Sequence, residues 1–148
     1  MGKTRGFTLI ELMVTIAVLA VIAMMATPKM SEMIAKQNLI LTARDLSSTL
    51  NEARSKAVLT RRNVTVTFND TTKSSKDNTD TQMFWLAKTG NALTASSPTS
   101  IIFTSYGLVK DATDDSDLVV CNTSLHITKT ISVSKIGTIV GKSDGSCE

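Results

Sequence analysis

The chain has 148 residues, of which 42% are hydrophobic and 20% are charged, so collagen-like and fully disordered classes are excluded. Its two cysteines are too few for a disulfide-rich miniature scaffold or a structural zinc site, and its single histidine excludes a histidine-rich metal site. The net charge is only +3, and the C-terminal part carries as many acidic as basic residues, which is not typical of a general polyanion binder. We therefore expect no metal and no cofactor.

The first element is an apolar run from Phe7 to Thr27 that contains one charged residue, Glu11, and follows Lys3 and Arg5. As a helix, its 21 residues would span about 31 Å, close to the ~30 Å hydrocarbon core of a bilayer. Because the basic residues precede the run, the positive-inside rule predicts a cytoplasmic N-terminus and places the rest of the chain outside. A cleaved secretory signal peptide is the alternative, but such peptides have a shorter apolar region that ends at a small-x-small site.

A second helical pattern follows Pro28 and extends to about residue 60. Small and apolar residues recur there at spacings of four and three, which places them on one helix face: Leu39, Ala43, Leu46, Leu50, Ala53 and Ala57. This face predicts a helix that packs on its own domain, since a coiled coil needs a longer repeat of large residues. Proline in a helix interior removes a hydrogen bond, so we expect one long helix that is kinked near Pro28.

From residue 61 onward the sequence predicts a β-rich globular domain. Val64, Val66 and Phe68 alternate with threonines, as in a half-buried strand, and residues 70–81 indicate a polar surface loop or hairpin tip. Further strands are predicted at Met83–Ala87, Ile101–Thr104, Leu118–Cys121, Leu125–Thr128, Ile131–Val133 and Ile136–Val140, with turns that include Thr89–Asn91 and Ser143–Gly145. These short strands favour one or two antiparallel sheets, and thus an α+β fold with the long N-terminal helix packed on a small antiparallel domain.

Cys121 and Cys147 lie in the part of the chain that the predicted topology places outside the cytoplasm. An oxidising compartment favours a disulfide between them, and two free thiols are the alternative. The bond would close a loop of about 27 residues and stabilise the fold by roughly 3–4 kcal/mol in the chain-entropy description. It would also tie the end of the chain to a central strand and suppress fraying of the tail.

The segment Gly6-Phe7-Thr8-Leu9-Ile10-Glu11 resembles the processing site of type IV pilins and type II secretion pseudopilins. The resemblance extends to the short basic leader, the apolar run after the cut, and the position of Pro28. It implies that residues 1–6 are a leader, and that a membrane-embedded prepilin peptidase cuts between Gly6 and Phe7 and methylates the new amine. Residues 7–28 would form the transmembrane and filament-core helix, residues 29–60 its amphipathic half, and residues 61–148 the globular domain.

Glu11 lies inside the apolar run, where a carboxylate is costly and is therefore expected to have a function. It stands one helical turn after Phe7, so an ion pair with the new amine of the same chain can form. In the assembly scheme of the family, the carboxylate pairs instead with the amine of a neighbouring subunit, which sets the axial register of the helices. A tolerated polar residue that lines some cavity is the remaining alternative.

A second segment, Leu50-Asn51-Glu52-Ala53-Arg54-Ser55-Lys56-Ala57, followed by Arg61 and Val64, resembles the GspH/FimT group of minor pilins and pseudopilins. The resemblance implies a long N-terminal helix packed on a small β-sandwich-like domain. Beyond about residue 65 it is limited to the number of strands and to a late glycine, Gly137.

One branch of this group binds DNA through an arginine-rich tail of the form Gly-Arg-x-Arg. The corresponding stretch here is Gly137-Thr138-Ile139-Val140, and only Lys135 and Lys142 flank it. Without a guanidinium pair, the grip on phosphate would be weak. We therefore favour the structural, FimU-like branch, whose members join other minor pilins in a priming or tip complex. A DNA-binding minor pilin and a type II secretion pseudopilin are the alternatives.

The resemblance implies other minor pilins, the major pilin, the prepilin peptidase and the inner-membrane assembly platform as partners, with DNA less favoured. Before assembly the chain would lie in the inner membrane with its globular domain in the periplasm, and afterwards in the filament at the cell surface. An enzyme is not favoured, because His126 falls within a predicted strand and has no nucleophile signature nearby. Asp114, Asp115 and Asp117 lack the glycine and distal glutamate of an EF-hand loop and indicate a solvated turn.

Overall fold

The computed structural model describes residues 6–88 and 90–147, and for residues 25–28 it describes the backbone helix without the side chains. One long helix, α1, runs from Leu9 to Thr60, and the described chain after it contains eight strands. The protein divides into two units, Met1–Ile34 and Ala35–Glu148, and the boundary between them falls inside α1.

The first unit contains the apolar half of α1. Its large apolar side chains from Leu9 to Met24 are all more than half exposed, which is typical of a helix that lipid or other subunits cover. Within the described residues, no single helix has both the length and the apolar content to cross a membrane. The segments Leu9–Met24 and Lys29–Thr60 form a bent pair that meets these two criteria together. The kink predicted at Pro28 lies outside the residues whose side chains the structure describes.

In the second unit, the rest of α1 packs on the globular domain. The predicted helix face is buried at every position: Leu39, Ala43, Leu46, Leu50, Ala53 and Ala57. These side chains share one core with strand residues such as Phe103, Leu118 and Val120, which are also fully buried. The face therefore packs on its own domain, and the α+β fold predicted from the sequence is confirmed.

The first sheet has three strands, β1 (Val64–Phe68), β2 (Gln82–Trp85) and β4 (Ser100–Phe103), in the order β2-β1-β4. The predicted strand at Val64–Phe68 is confirmed, and β4 pairs with it antiparallel. However, β2 runs parallel to β1, so this one pair departs from the antiparallel pairing that the sequence predicted and that every other pair of described strands has. Parallel neighbours need a connection of about a dozen residues or more, and the polar segment between the strands is long enough to carry the chain back.

That polar segment is an ordered surface loop around a single 3-10 turn, Ser75–Asp77. The Ser74 hydroxyl accepts from the Lys76 N–H, and the Asp77 carboxylate accepts from the Ser74 N–H at 2.7 Å, which together form a capping box. The Ser74 backbone and hydroxyl donors lower the pKa of Asp77. The loop therefore has its own hydrogen bonds rather than being the tip of a hairpin.

The second sheet contains the five remaining strands: β3 (Asn91–Leu93), β5 (Ser116–Asn122), β6 (Ile127–Val133), β7 (Ile139–Gly141) and β8 (Gly145–Ser146). Their order is β3-β5-β6-β7, and β8 pairs with the other end of β6. All of its pairs are antiparallel. Asn91 and Gly145 were expected in turns but lie in β3 and β8, while Thr89 of the first predicted turn lies outside the described residues. Both strands are short and owe their conformation to pairing with distant parts of the chain, which local turn residues do not reveal.

The hairpin between β5 and β6 corrects a further prediction. The strands expected at Leu125–Thr128 and Ile131–Val133 are one strand, β6, and His126 lies before it in a turn with φ 53°. The turn forms because the Asn122 side-chain carbonyl accepts from the backbone N–H groups of Ser124 and Leu125. His126 is therefore a turn residue rather than a strand residue.

Candidate assembly and processing site

The predicted processing site precedes the helix. Gly6, Phe7 and Thr8 are not helical, α1 begins at Leu9, and the Phe7 side chain is 83% exposed. A Cβ built on Gly6 would have no atom within 4 Å, so this chain itself leaves room for a larger residue there. The Gly6–Phe7 peptide bond thus lies in exposed, non-helical backbone, and any requirement for glycine must come from the peptidase.

Glu11 contacts Thr8 at the start of α1. The Thr8 N–H and the Thr8 hydroxyl both donate to Oε2 of Glu11 at 2.9 Å, and the Glu11 N–H donates back to the Thr8 hydroxyl oxygen at 3.3 Å. This is a capping box, which satisfies backbone donors that the first helical turn leaves without partners. Thr8 is not among the residues predicted for the site, although its spacing from Glu11, Thr-x-x-Glu, is the signal for this arrangement.

The family-like segment near the end of α1 holds the surrounding loops. Arg54 Nε donates to the carbonyl oxygen of Gly107 at 3.1 Å, and Arg54 Nη2 donates to that of Ile136 at 3.3 Å. Two residues further along the helix, Lys56 Nζ donates to the carbonyl oxygen of Thr79 at 2.9 Å. The resemblance of this segment to the pilin group therefore includes basic side chains that fasten three separate loops to the helix.

A series of buried hydrogen bonds between side chains connects α1 to the second sheet. The Asn91 amide donates to the Thr42 hydroxyl at 3.0 Å, and the Asn122 amide donates to the side-chain carbonyl of Asn91 at 2.9 Å. All three residues are less than a tenth exposed, so each lost contact would leave a costly unpaired group. These hydrogen bonds fix the positions of β3 and β5 against the helix.

The tail of the chain is joined to the second sheet by a disulfide between Cys121 of β5 and Cys147, whose Cα atoms are 5.8 Å apart. The Cys147 N–H also donates to the carbonyl oxygen of His126 at 2.9 Å. The expected disulfide is present, and it closes the segment that contains β6, β7 and β8.

Acidic side chains neutralise lysines around the tail. Lys142 Nζ donates to both carboxylate oxygens of Asp117, at 2.7 and 2.8 Å, and Lys129 pairs with Asp144. The Lys142 ammonium lowers the pKa of Asp117 below its ordinary value. Lys135 is exposed and forms no ion pair within the described residues. Of the two lysines that flank Gly137–Val140, one is thus already occupied by an acid.

Residues 1–27 match the prokaryotic N-terminal methylation motif, and residues 42–137 match the family described as type II transport protein GspH. The fold is similar to two crystal structures of the type IV minor pilin FimU from Pseudomonas aeruginosa (strain PAO1). One is 19% identical with a TM-score of 0.55 and covers 74% of this chain and 100% of FimU. The other is 18% identical with a TM-score of 0.56 and covers 76% of this chain and 97% of FimU. At these identities the likeness shows a shared fold, and no curated protein matches the chain.

These matches bear on processing and assembly as well as on fold. Pilins of this kind are structural proteins made as membrane-anchored precursors, and their class implies cleavage by a peptidase and assembly with other pilins. The GspH match spans well over half of the sequence and includes Arg54, Gly107 and Ile136, whose contacts join the helix to the loops. The chain belongs to the GspH family of minor pilins and pseudopilins.

Proposed function

We propose that the protein is a structural minor pilin of a type IV pilus that takes part in priming or tip assembly together with other minor pilins. The observation that carries this proposal is the first unit: a helix whose apolar side chains are exposed all round and whose only charged residue before Lys29 is Glu11. Such a surface is suited to lipid before assembly and to the helices of other subunits afterwards.

The contacts of Glu11 favour a role in joining subunits. Oε2 of Glu11 accepts both hydrogen bonds from Thr8, and Oε1 accepts none from the residues that the structure describes, so Oε1 is available for an incoming ammonium group. In this proposal, prepilin peptidase cuts between Gly6 and Phe7 and methylates the amine of Phe7. The Glu11 carboxylate then pairs with that amine on a neighbouring subunit while Thr8 holds it in place. Before assembly the N-terminus is cytoplasmic and the globular domain periplasmic.

The charges around the tail do not favour a DNA receptor. Lys142 is paired with Asp117 and Lys129 with Asp144, which leaves Lys135 as the unpaired lysine next to Gly137 within the described residues. In a mobility-shift titration, we expect only weak DNA binding that disappears near physiological salt, because few phosphates can be neutralised. Tight binding at that salt, lost when Lys135 and Lys142 are replaced by Ala, would establish the DNA-binding alternative instead.

A type II secretion pseudopilin is the second candidate, and the description of the matching family favours it. Deleting the gene in the native host separates the two functions. Our proposal predicts few or no surface pili, normal secretion of extracellular enzymes, and recovery when the wild-type gene is returned. Loss of secretion with normal piliation would identify a pseudopilin and contradict the proposal.

A further inference from the structure

The second unit exposes a group of apolar side chains beside the C-terminal end of α1. Tyr106 is 85% exposed and Leu59 is 83% exposed, more than any other large apolar side chain described between residues 35 and 147. We name this group the Tyr106 patch: Val58, Leu59, Tyr106, Leu108 and Ile136. Apolar side chains that cluster on the surface of a folded domain mark a contact surface more often than scattered ones do.

The Tyr106 patch includes a concave feature with a fixed frame. Val58, Leu59 and Tyr106 line a groove of about 480 Å³. Arg54 also lines the groove and donates to the carbonyl oxygens of Gly107 and Ile136, so both loops are held to the helix. The Tyr106 side chain is therefore displayed by a supported turn, and its exposure does not result from a loose loop. A groove of this kind fits a protruding side chain of a protein better than the flat surface of a bilayer.

The border of the Tyr106 patch is basic. Arg61 and Arg62 directly follow the helix, and the Arg62 N–H donates to the carbonyl oxygen of Ala57. In the sequence, Lys135 directly precedes Ile136. None of these three cations has an acidic partner within the described part of the chain. Asp111, a nearby acid, lies 3.9 Å from Lys110 and is balanced by it. Two copies that met through this patch would bring like charges together, so the border favours an acidic partner over a second copy.

We propose that the Tyr106 patch is the docking surface for the globular domain of a different pilin subunit, which inserts an apolar side chain bordered by carboxylates. The inference rests on the proposed assembly function and adds the face and the charge of the partner. Apolar contact in the groove would supply affinity, and the cations would select the partner and orient it.

Site-specific photo-crosslinking of the full chain in its native host tests the proposal. The photoreactive residue p-benzoylphenylalanine replaces Tyr106 in one strain and Leu86 in a control strain. Leu86 is also exposed, at 45%, but lines a different groove together with Trp85. After illumination, adducts are isolated and identified by mass spectrometry. We expect an adduct at position 106, at least five-fold more abundant than at position 86, with a second protein that carries the methylation motif and an acidic globular domain.

A double variant, Arg61→Glu with Arg62→Glu, tests the role of charge in the same assay. We expect it to lower the yield of the position 106 adduct at least five-fold, whereas Arg61→Lys with Arg62→Lys retains the yield. Formation of the Cys121–Cys147 disulfide in each variant shows that the domain has folded. No adduct at position 106, equal adducts at both positions, or an adduct with lipid or a second copy overturns the proposal.

These strains distinguish failure of the docking surface from failure of the assembly function. If position 106 gives no adduct with a pilin while deletion of the whole gene abolishes piliation, the Tyr106 patch is not the docking surface, and the assembly function stands. If deletion of the whole gene leaves piliation unchanged, the assembly function itself is wrong.

Discussion

Arg54 and Gly137 lie so close together that no side chain fits between them. A Cβ built on Gly137 would lie 2.9 Å from Nε of Arg54 and 2.0 Å from the carbonyl oxygen of Gly107, the atom that Arg54 binds. Gly137 also has φ 78°, a backbone conformation that favours glycine. The basic segment of the helix and the late glycine, which the sequence shows 83 residues apart, are thus two parts of one contact.

We therefore predict that Gly137→Ala destabilises the domain by more than the usual cost of a strained backbone position, which is about 1–3 kcal/mol, because the clash of the new Cβ adds to that cost. Gly141→Ala is the matched control, because a Cβ there would have no atom within 4 Å and its φ is not positive. Urea unfolding of the full chain in mild detergent can be followed through Trp85, the single tryptophan, which is buried. Equal unfolding midpoints for the two variants would contradict the packing described here.

The second prediction concerns processing. Gly6→Val should leave an uncleaved, membrane-bound precursor, because the peptidase must accommodate a small residue at the cut. The protein itself has open space around Gly6, so the variant should fold and form its disulfide normally. Mass spectrometry of the purified protein measures the length of the chain. Mature-length protein in amounts equal to the wild type would show that this residue does not define the site.

The third prediction concerns the disulfide. Cys147→Ser should lower the free energy of unfolding by up to roughly 3–4 kcal/mol, because the unfolded chain gains the freedom of an open loop and the tail is no longer tied to Cys121 of β5. The double variant Cys121→Ser with Cys147→Ser should lose about the same amount, since the bond acts as a unit. In the exported wild-type protein, neither cysteine should react with a thiol reagent until a reductant is added. Labelling of both cysteines without reduction would be incompatible with this result.

The fourth prediction is a pH dependence from Asp117. The Lys142 ammonium lowers the pKa of Asp117 in the folded state, so the pair stabilises the protein above the ordinary aspartate pKa of about 3.9. That contribution is lost as the pH falls through the lower, folded-state value. Because the Asp117 side chain is 42% exposed, Asp117→Asn should cost only about 0.2–1 kcal/mol at pH 7. The stability difference from wild type should shrink toward zero as the pH falls below the lowered pKa that Asp117 has in the folded state.

Asp115→Asn provides the comparison for this measurement, since Asp115 forms no ion pair among the residues described. Thermal unfolding of the wild type and both variants at a series of pH values measures the effect. A difference between Asp117→Asn and wild type that grew in acid would have the wrong sign for the ion pair.

The sequence predicted elements with strong local patterns and missed those that depend on distant pairing. The small and apolar residues of the predicted helix face, from Leu39 to Ala57, recur at helical spacing, and all of them are buried in the structure. By contrast, β3 at Asn91–Leu93 exists because it pairs with β5 and because Asn91 is bonded to Thr42, 49 residues earlier. Similarly, nothing local indicates that β2 lies parallel to β1.

In the candidate site too, residues with a local sequence motif were predictable, and residues with distant partners were not. The family-like motif placed Glu11, Gly6 and Phe7 at the N-terminus, and the capping partner Thr8 could have been recognised from the spacing Thr-x-x-Glu. The role of Arg54 could not be recognised, because its acceptors are backbone carbonyls on loops 53 and 82 residues further along the chain. The position of His126 was missed since its turn depends on the Asn122 side chain.

If the protein enters the pilus through Glu11, its amount in pili sheared from the cell surface should depend on that carboxylate. Glu11→Leu should still insert into the membrane, because it makes the segment more apolar, but should be strongly depleted from sheared pili. Thr15→Leu is the matched control, since the Thr15 hydroxyl donates to the carbonyl oxygen of Leu12 within the same helix. We expect wild-type amounts for Thr15→Leu and at least a ten-fold loss for Glu11→Leu by immunoblot, whereas equal incorporation of both would show that the protein enters the pilus without the Glu11 carboxylate.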